Sequence, residues 1–295
     1  MGGVILLDRN MESLEQVKQL TSDLQAQSNE KVPLFIGIDE EGGDVVRMAE
    51  KLTPAPSQKE IGATGDIEQA KTWAIKTAKS LKDMGINVNF APVADVGSND
   101  KRSYSTDANT VIDFVRAATK GYQQENIIYS LKHFPGIGKG KVDSHIDSSS
   151  IDVAKGVLMT EDFLPFKTII DESDPNDYFI LVSHLKYLAL DEEYPASLSS
   201  KIMTDLLRNK LGYKGIIITD DMEMGAVANH NDFRSIGVNA VKAGADIVLV
   251  CHEYKHQQEV YLGLLDAVNS GEISQERIDE SVKRIIKVKL LHLYQ

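Results

Sequence analysis

Ile216-Ile217-Ile218-Thr219-Asp220-Asp221-Met222-Glu223-Met224-Gly225 sets a β-branched apolar run directly against two carboxylates. A run without alternation is what a strand buried on both faces requires, and such strands belong to parallel sheets. Upstream, residues 199–211 carry the spacing of an amphipathic helix, with Ser199 as its expected N-cap and Gly212 where the chain must turn back. Downstream, residues 233–243 repeat the helical spacing, Gly244 ends it, and residues 247–250 form the next apolar run. The same alternation extends toward the start. Apolar runs lie at 3–7, 34–38, 88–92, 127–131 and 179–182, helical patterns at 66–84 and 110–125, and Gly85 closes the first of these helices. A last helix spans 274–291. Unbroken alternation predicts an α/β fold. Seven strand–helix units predict a (β/α)8 TIM-type barrel, one domain over residues 1–295. A doubly wound sheet is the competing architecture, but no Gly-rich phosphate turn follows a first strand.

Composition narrows the classes of function. Of 295 residues, 42% are hydrophobic and 26% charged, which excludes a disordered chain, a collagen-like chain and a coiled-coil rod. The net charge is −12, so the surface repels phosphate backbones and no nucleic-acid partner is expected. A single cysteine, Cys251, excludes an internal disulfide and a cysteine-built zinc site. No apolar run approaches the roughly 18–20 residues of a membrane span. The opening Met1-Gly2-Gly3-Val4-Ile5-Leu6 has no basic leader, so it is not a signal peptide, and Leu6 is the wrong residue for a myristoylation site. An export signal would have to precede Met1, so the sequence leaves the compartment open, and it leaves the oligomeric state open as well.

In a barrel, chemistry collects at the C-terminal ends of the strands. Asp39 follows the second apolar run, Asp95 the third, Lys132 and His133 the fourth, His184 the fifth, and Asp220 with Asp221 the sixth. One such residue is as readily structural as functional. Five at one rim point to an active site. A carboxylate held rigidly at a strand end suits a nucleophile or base, although one of the pair, Asp221 in particular, also suits the cap of the next helix. The stretch from Lys132 to His145 contains Gly136, Gly138 and Gly140 and then Asp143 and His145. Two residues apart, Asp143 and His145 share a face of an extended segment. A carboxylate beside an imidazole fixes its tautomer and raises its pKa, giving a proton donor near neutral pH. Alone, the same stretch reads equally as a solvated glycine-rich loop with an incidental ion pair.

Lys132-His133-Phe134-Pro135-Gly136 followed by Asp143-Ser144-His145 resembles the signature of glycoside hydrolase family 3, in its β-N-acetylglucosaminidase branch. Asp39-Glu40-Glu41-Gly42-Gly43 with Arg47, Asn89 through Asp95, Arg102-Ser103-Tyr104, Pro195 through Ser199, and Thr219-Asp220-Asp221-Met222 resemble further blocks of that family, in the same order. The Asp-Ser-His motif points to this branch rather than to the family's two-domain β-glucosidases. The resemblance implies that Asp220 is the nucleophile, His145 the general acid/base and Asp143 its dyad partner. It implies that Asp39, Arg102, Lys132 and His133 hold the hydroxyls and N-acetyl group of a terminal sugar, and it puts Arg47 and His184 in matching blocks beside them. It requires no metal or cofactor. Two departures accompany it: the family usually has His at the position of Ile137 and Asp or Asn at that of Lys139, and its barrel has a strand and helix ahead of the Gly2-Gly3-Val4-Ile5 segment. A barrel lacking its first strand and helix, in an N-terminally truncated chain, is therefore expected.

The activity implied is hydrolysis of a small glycan, a β-linked terminal N-acetylhexosamine from peptidoglycan fragments or chitooligosaccharides, with retention of configuration. Because a neutral imidazole does not repel phosphate as a carboxylate does, a phosphorylase on the same fold is the first alternative. A Schiff-base aldolase built on Lys132 and a sugar-binding protein without catalysis are the others. The loop bearing His145 is expected to be mobile, given its three glycines.

Overall fold

Each apolar run becomes a parallel strand. The computed structural model describes residues 2–28, 32–47, 53–97, 101–140 and 150–294. They fall into two compact units, residues 1–132 with 286–295, and residues 133–285.

In the first unit, β1 (Gly3–Leu6) pairs in parallel with β2 (Phe35–Ile38), from Gly3 opposite Phe35 to Leu6 opposite Ile38. β2 then pairs with β3 (Val88–Asn89), and β3 with β4 (Ile128–Phe134) through Val88 opposite Ile128. The expected third strand was longer, to residue 92. The regular ladder stops at Asn89, but Phe90 N–H still meets Ile38 O at 2.8 Å and Ser130 N–H meets Ala91 O at 3.1 Å before a bridge joins Val93 to Lys132. Four helices connect these strands: α1 (Leu14–Gln27), α2 (Gln58–Ala63), α3 (Ile67–Asp83) and α4 (Ala108–Gln124). Ser13, Ser57, Asp66 and Asp107 cap them, each side chain accepting a backbone N–H of the first turn. The α3 face is Ala70, Ala74, Ala78 and Leu81. Those small residues let α4 approach so closely that a Cβ on Gly121 would stand 2.8 Å from the Cβ of Ala74. α3 ends as expected at Gly85, whose φ of +74° admits the turn and lets Ile86 N–H reach Leu81 O at 3.0 Å. Leu6, Ile36 and Ile38 pack with Val17, Leu81 and Ile86 as one core.

In the second unit, β5 (Ser150–Ile151) pairs with β7 (Lys186–Tyr187) in a separate small parallel sheet. The main ladder is β6 (Tyr178–Val182), β8 (Ile216–Asp221) and β9 (Ile247–Leu249), joined from Phe179 opposite Ile216 to Asp221 opposite Leu249. β8 runs three residues beyond the apolar run that announces it, so Asp220 and Asp221 are the last residues of the strand itself. Helices α5 (Lys155–Thr160), α6 (Leu164–Glu172), α7 (Gly225–Ala228), α8 (Phe233–Ala243) and α9 (Tyr254–Asn269) belong here, and α10 (Gln275–His292) begins here and ends in the first unit. The helix expected over 199–211 is present as Lys201–Lys210, but it is a wide π-type helix, ending with Leu211 N–H on Leu206 O. The apolar pattern does not distinguish the two types, because Ile202, Met203, Leu206 and Leu207 share one buried face in either. Ser199 caps it as expected, its hydroxyl accepting Ile202 N–H at 3.2 Å. No helix among the described residues is long and apolar enough to cross a membrane.

Candidate active site

In the first unit, the segment leaving β2 carries Asp39, Glu40 and Glu41, and the end of β4 carries Lys132. The Lys132 ammonium is buried and lies 2.6 Å from Asp39 Oδ1 and 2.6 Å from Glu41 Oε1. Glu41 also accepts both arms of the Arg102 fork, Nε at 2.9 Å and Nη2 at 2.8 Å. Arg47 closes the row, with Nη2 3.3 Å from Asp39 Oδ2 and Nη1 3.3 Å from Asp8. Thus Asp39, Arg47, Arg102 and Lys132 are brought together as one charge-alternating cluster, and Glu41 is the residue that joins two of them. Glu41 was not among the expected site residues. Its signal in the sequence was charge balance, since a buried lysine and an arginine at one rim need more than a single carboxylate.

Burial alone would lower the Lys132 pKa, but Asp39 and then Glu41 outweigh it and hold the amine above its ordinary value. An amine held protonated is a poor nucleophile, which counts against a Schiff-base role. Glu40 is the opposite case. Burial pushes its carboxyl up to about 7, although it accepts the Arg47 backbone N–H at 2.9 Å. Asn89 fixes this turn, accepting Glu40 N–H and donating to Glu40 O, both at 3.0 Å.

In the second unit, Asp220 and Asp221 divide their roles. Asp221 is the structural member. Its Oδ1 accepts Glu223 N–H and Cys251 N–H, both at 3.1 Å, and its Oδ2 lies 3.2 Å from His252 Nε2. It therefore closes the turn after β8 and ties it to the chain leaving β9, rather than capping the short helix α7. Burial raises its pKa above the ordinary carboxylate value. Behind it, Glu223 accepts the N–H of Glu253 at 2.9 Å, the N–H of His252, and His256 Nδ1 at 2.7 Å. Asp220 Oδ1 accepts Asp221 N–H at 2.9 Å, which orients its carboxylate at the strand end.

His184, just past β6, is buried, with Nδ1 2.6 Å from the Ser197 hydroxyl and Nε2 2.8 Å from Asp221 O. Nε2 thus braces the backbone of the Asp220–Asp221 strand end, while Nδ1 ties the ring to Ser197. His133 is buried in β4, and its carbonyl accepts Gly136 N–H at 2.7 Å. Asp143 and His145 lie outside the described residues. Among the described residues, no group of three or more His, Cys, Asp or Glu is arranged to hold a metal ion.

Comparison with known proteins bears on both units. The family model described as glycosyl hydrolase family 3 N terminal domain matches residues 1–288. The beta-hexosaminidase A of Pseudoalteromonas piscicida is 35% identical over 98% of this chain, which spans about half, 53%, of that protein. The beta-hexosaminidase of Nitrosomonas eutropha is 30% identical over 96% of this chain and 83% of its own length. A solved glycoside hydrolase family 3 beta-N-acetylglucosaminidase from Paenibacillus sp. str. FPU-7 superposes with a TM-score of 0.95 at 37% identity, covering 99% of this chain and 57% of that one. The fold class is accordingly the α/β, TIM-type (β/α)8 barrel, here with seven parallel strands in the main sheet among the described residues.

Proposed function

Because the chain belongs to glycosyl hydrolase family 3, we propose that it is the catalytic barrel of a retaining β-N-acetylglucosaminidase acting on small glycans. The relatives named for beta-hexosaminidase and beta-N-acetylglucosaminidase activity support the substrate class. The observation that carries the reading is the division between the two carboxylates of β8, one spent on the turn and the other held at the strand end by Asp221 N–H.

In this reading Asp220 attacks the anomeric carbon and His145, tuned by Asp143, protonates the departing oxygen. Water then opens the glycosyl-enzyme, with the neutral imidazole now taking the water's proton. Asp39 accepts hydrogen bonds from the sugar's hydroxyls. Lys132, Arg102, Arg47 and His133 supply donors to hydroxyl and carbonyl oxygens. Lys132 and Arg102 donate from a preset geometry, because Glu41 already holds both. His184 orients Asp220 through the backbone rather than by meeting the sugar.

The test is to compare Asp220→Asn with Asp221→Asn. Asp220→Asn should abolish turnover of an aryl N-acetylglucosaminide while the protein melts as the wild type does. Asp221→Asn should lower the melting temperature and retain measurable turnover. The reverse pattern would move the nucleophile to Asp221.

A further inference from the structure

Asp221 does not close the end of β8 alone. The β8–β9 ladder finishes with Met222 N–H on Leu249 O at 3.0 Å, and three residues further on His252 brings its Nε2 to 3.2 Å from Asp221 Oδ2. The same residue hangs from Glu223, which accepts its backbone N–H. Glu223 is braced in turn by both flanking helices. It accepts His256 Nδ1 at 2.7 Å from α9, and the His256 ring stacks on Phe233 of α8 with centroids 3.7 Å apart and planes 11° apart. Glu253, at the N-cap of α9, adds a further carboxylate here and gives its own N–H to Glu223 at 2.9 Å. Two imidazoles thus meet the acidic turn, and they divide it. Burial raises the Glu223 carboxyl, but His256 and the N–H groups of His252 and Glu253 outweigh it and hold the group below its ordinary value. Asp221 is the other case. Its side chain is only 12% exposed, burial holds its carboxyl above the ordinary value, and His252 is the cation that works against this. The His252 ring is itself half-exposed, so it can take a proton from solvent and present it to a carboxylate that is nearly out of water. The residue that receives this charge is also the one whose N–H orients Asp220, at 2.9 Å from Oδ1.

We propose that His252 is a positioning residue for the nucleophile: held between Asp221 and Glu223, it fixes the strand end that carries Asp220 and, when protonated, supplies the counter-charge that lets Asp220 and Asp221 ionise side by side. This rests on the reading of Asp220 as the nucleophile. His252 meets no substrate in this role; it acts through Asp221. Neighbouring carboxylates disfavour one another's ionisation, and a cation beside either relieves both. Orientation matters as well, since a displacement of about 1 Å at the reacting group costs up to roughly 100-fold in rate.

The experiment measures kcat and kcat/KM for a nitrophenyl β-N-acetylglucosaminide from about pH 4 to pH 8. Beside it, a 5-fluoro-N-acetylglucosaminyl fluoride, whose glycosyl-enzyme hydrolyses slowly, is used to label the protein, and the rate of labelling is read by intact mass. His252→Ala should lower kcat roughly 10- to 100-fold with KM little changed, slow the labelling in proportion, and move the acid limb of kcat/KM to higher pH. His252→Gln keeps a donor where Nε2 stands but carries no charge. It should recover most of kcat on the plateau while keeping the displaced acid limb, and it carries the test should His252→Ala fail to fold. An acid limb that stays at the wild-type pH in His252→Gln, or a loss confined to the melting temperature, would overturn the proposal and leave His252 a structural tie. Peptide mapping of the labelled wild type reports on the nucleophile separately: a label on any residue other than Asp220 would overturn that assignment, so the two failures are told apart.

Discussion

Glu40 and Glu41 are adjacent, both buried, and electrostatically opposite. Glu41 faces Lys132 and Arg102 and has full compensation for its charge. Glu40 accepts a backbone N–H from Arg47, and burial drives its carboxyl from 4.5 up to about 7. Linkage gives the sign. A carboxyl that binds its proton more tightly when folded adds stability that is fully present below pH 4.5 and is lost as the pH rises through about 7. The stability at stake is on the order of 3 kcal/mol. Glu40→Gln keeps the acceptor for Arg47 N–H and removes the titration. In urea unfolding followed from pH 5 to pH 8.5, the wild type should lose stability relative to Glu40→Gln across the range, with the variant the more stable above pH 7. Parallel pH profiles for the two proteins would show that Glu40 ionises normally.

At the scale of elements, Asp246 is the joint of the second unit. It precedes β9, and its Oδ2 accepts Ile217 N–H of β8 at 2.9 Å and Arg208 Nη2 of the π-type helix. Its Oδ1 accepts the Ser281 hydroxyl at 2.6 Å and Arg284 Nη1 at 2.9 Å, both from α10. One carboxylate thus gathers two helices and a strand. Removing one partner of a buried ionic group costs about 3–5 kcal/mol, a large share of the ~5–15 kcal/mol that hold a domain together. Thermal melts should rank wild type above Asp246→Asn above Asp246→Ala; an asparagine variant as stable as the wild type would mean that the charge contributes nothing. This joint was not legible in the sequence. Arg208 and Arg284 are each 38 residues from Asp246, and no local spacing links them. The seven apolar runs were legible because burial on both faces leaves a compositional mark that needs no partner to be seen. β5 and β7, two residues each, leave none. The site was legible in the same uneven way. Strand-end polar groups such as Asp39, Lys132 and Asp220 announce themselves by interrupting apolar runs. The residues that hold them, Glu41 and Asp221, show their roles only through distances, as does Ser197 against His184.

At the scale of the whole molecule, the net charge of −12 sets which substrates approach easily. Lys132 and Arg102 share the carboxylates of Asp39 and Glu41, so their positive field is largely cancelled within the cluster. An approaching ligand then meets mainly the acidic surface. For a neutral glycoside this field is immaterial. For a glycan whose aglycone carries a carboxylate, it opposes encounter, and it does so over a distance that salt controls, about 30 Å at 0.01 M ionic strength and about 10 Å at 0.1 M. Raising the salt from 0.01 M to 0.15 M at constant pH 7.5 should therefore increase kcat/KM for an aryl N-acetylglucosaminide bearing a carboxylate on the ring, through KM. The uncharged parent should change little. The comparison of the two substrates cancels any general effect of salt on the protein. If the anionic substrate instead loses activity as salt rises, the cationic side chains of the first unit project a field that outweighs the surface, and the site is built to attract acidic aglycones.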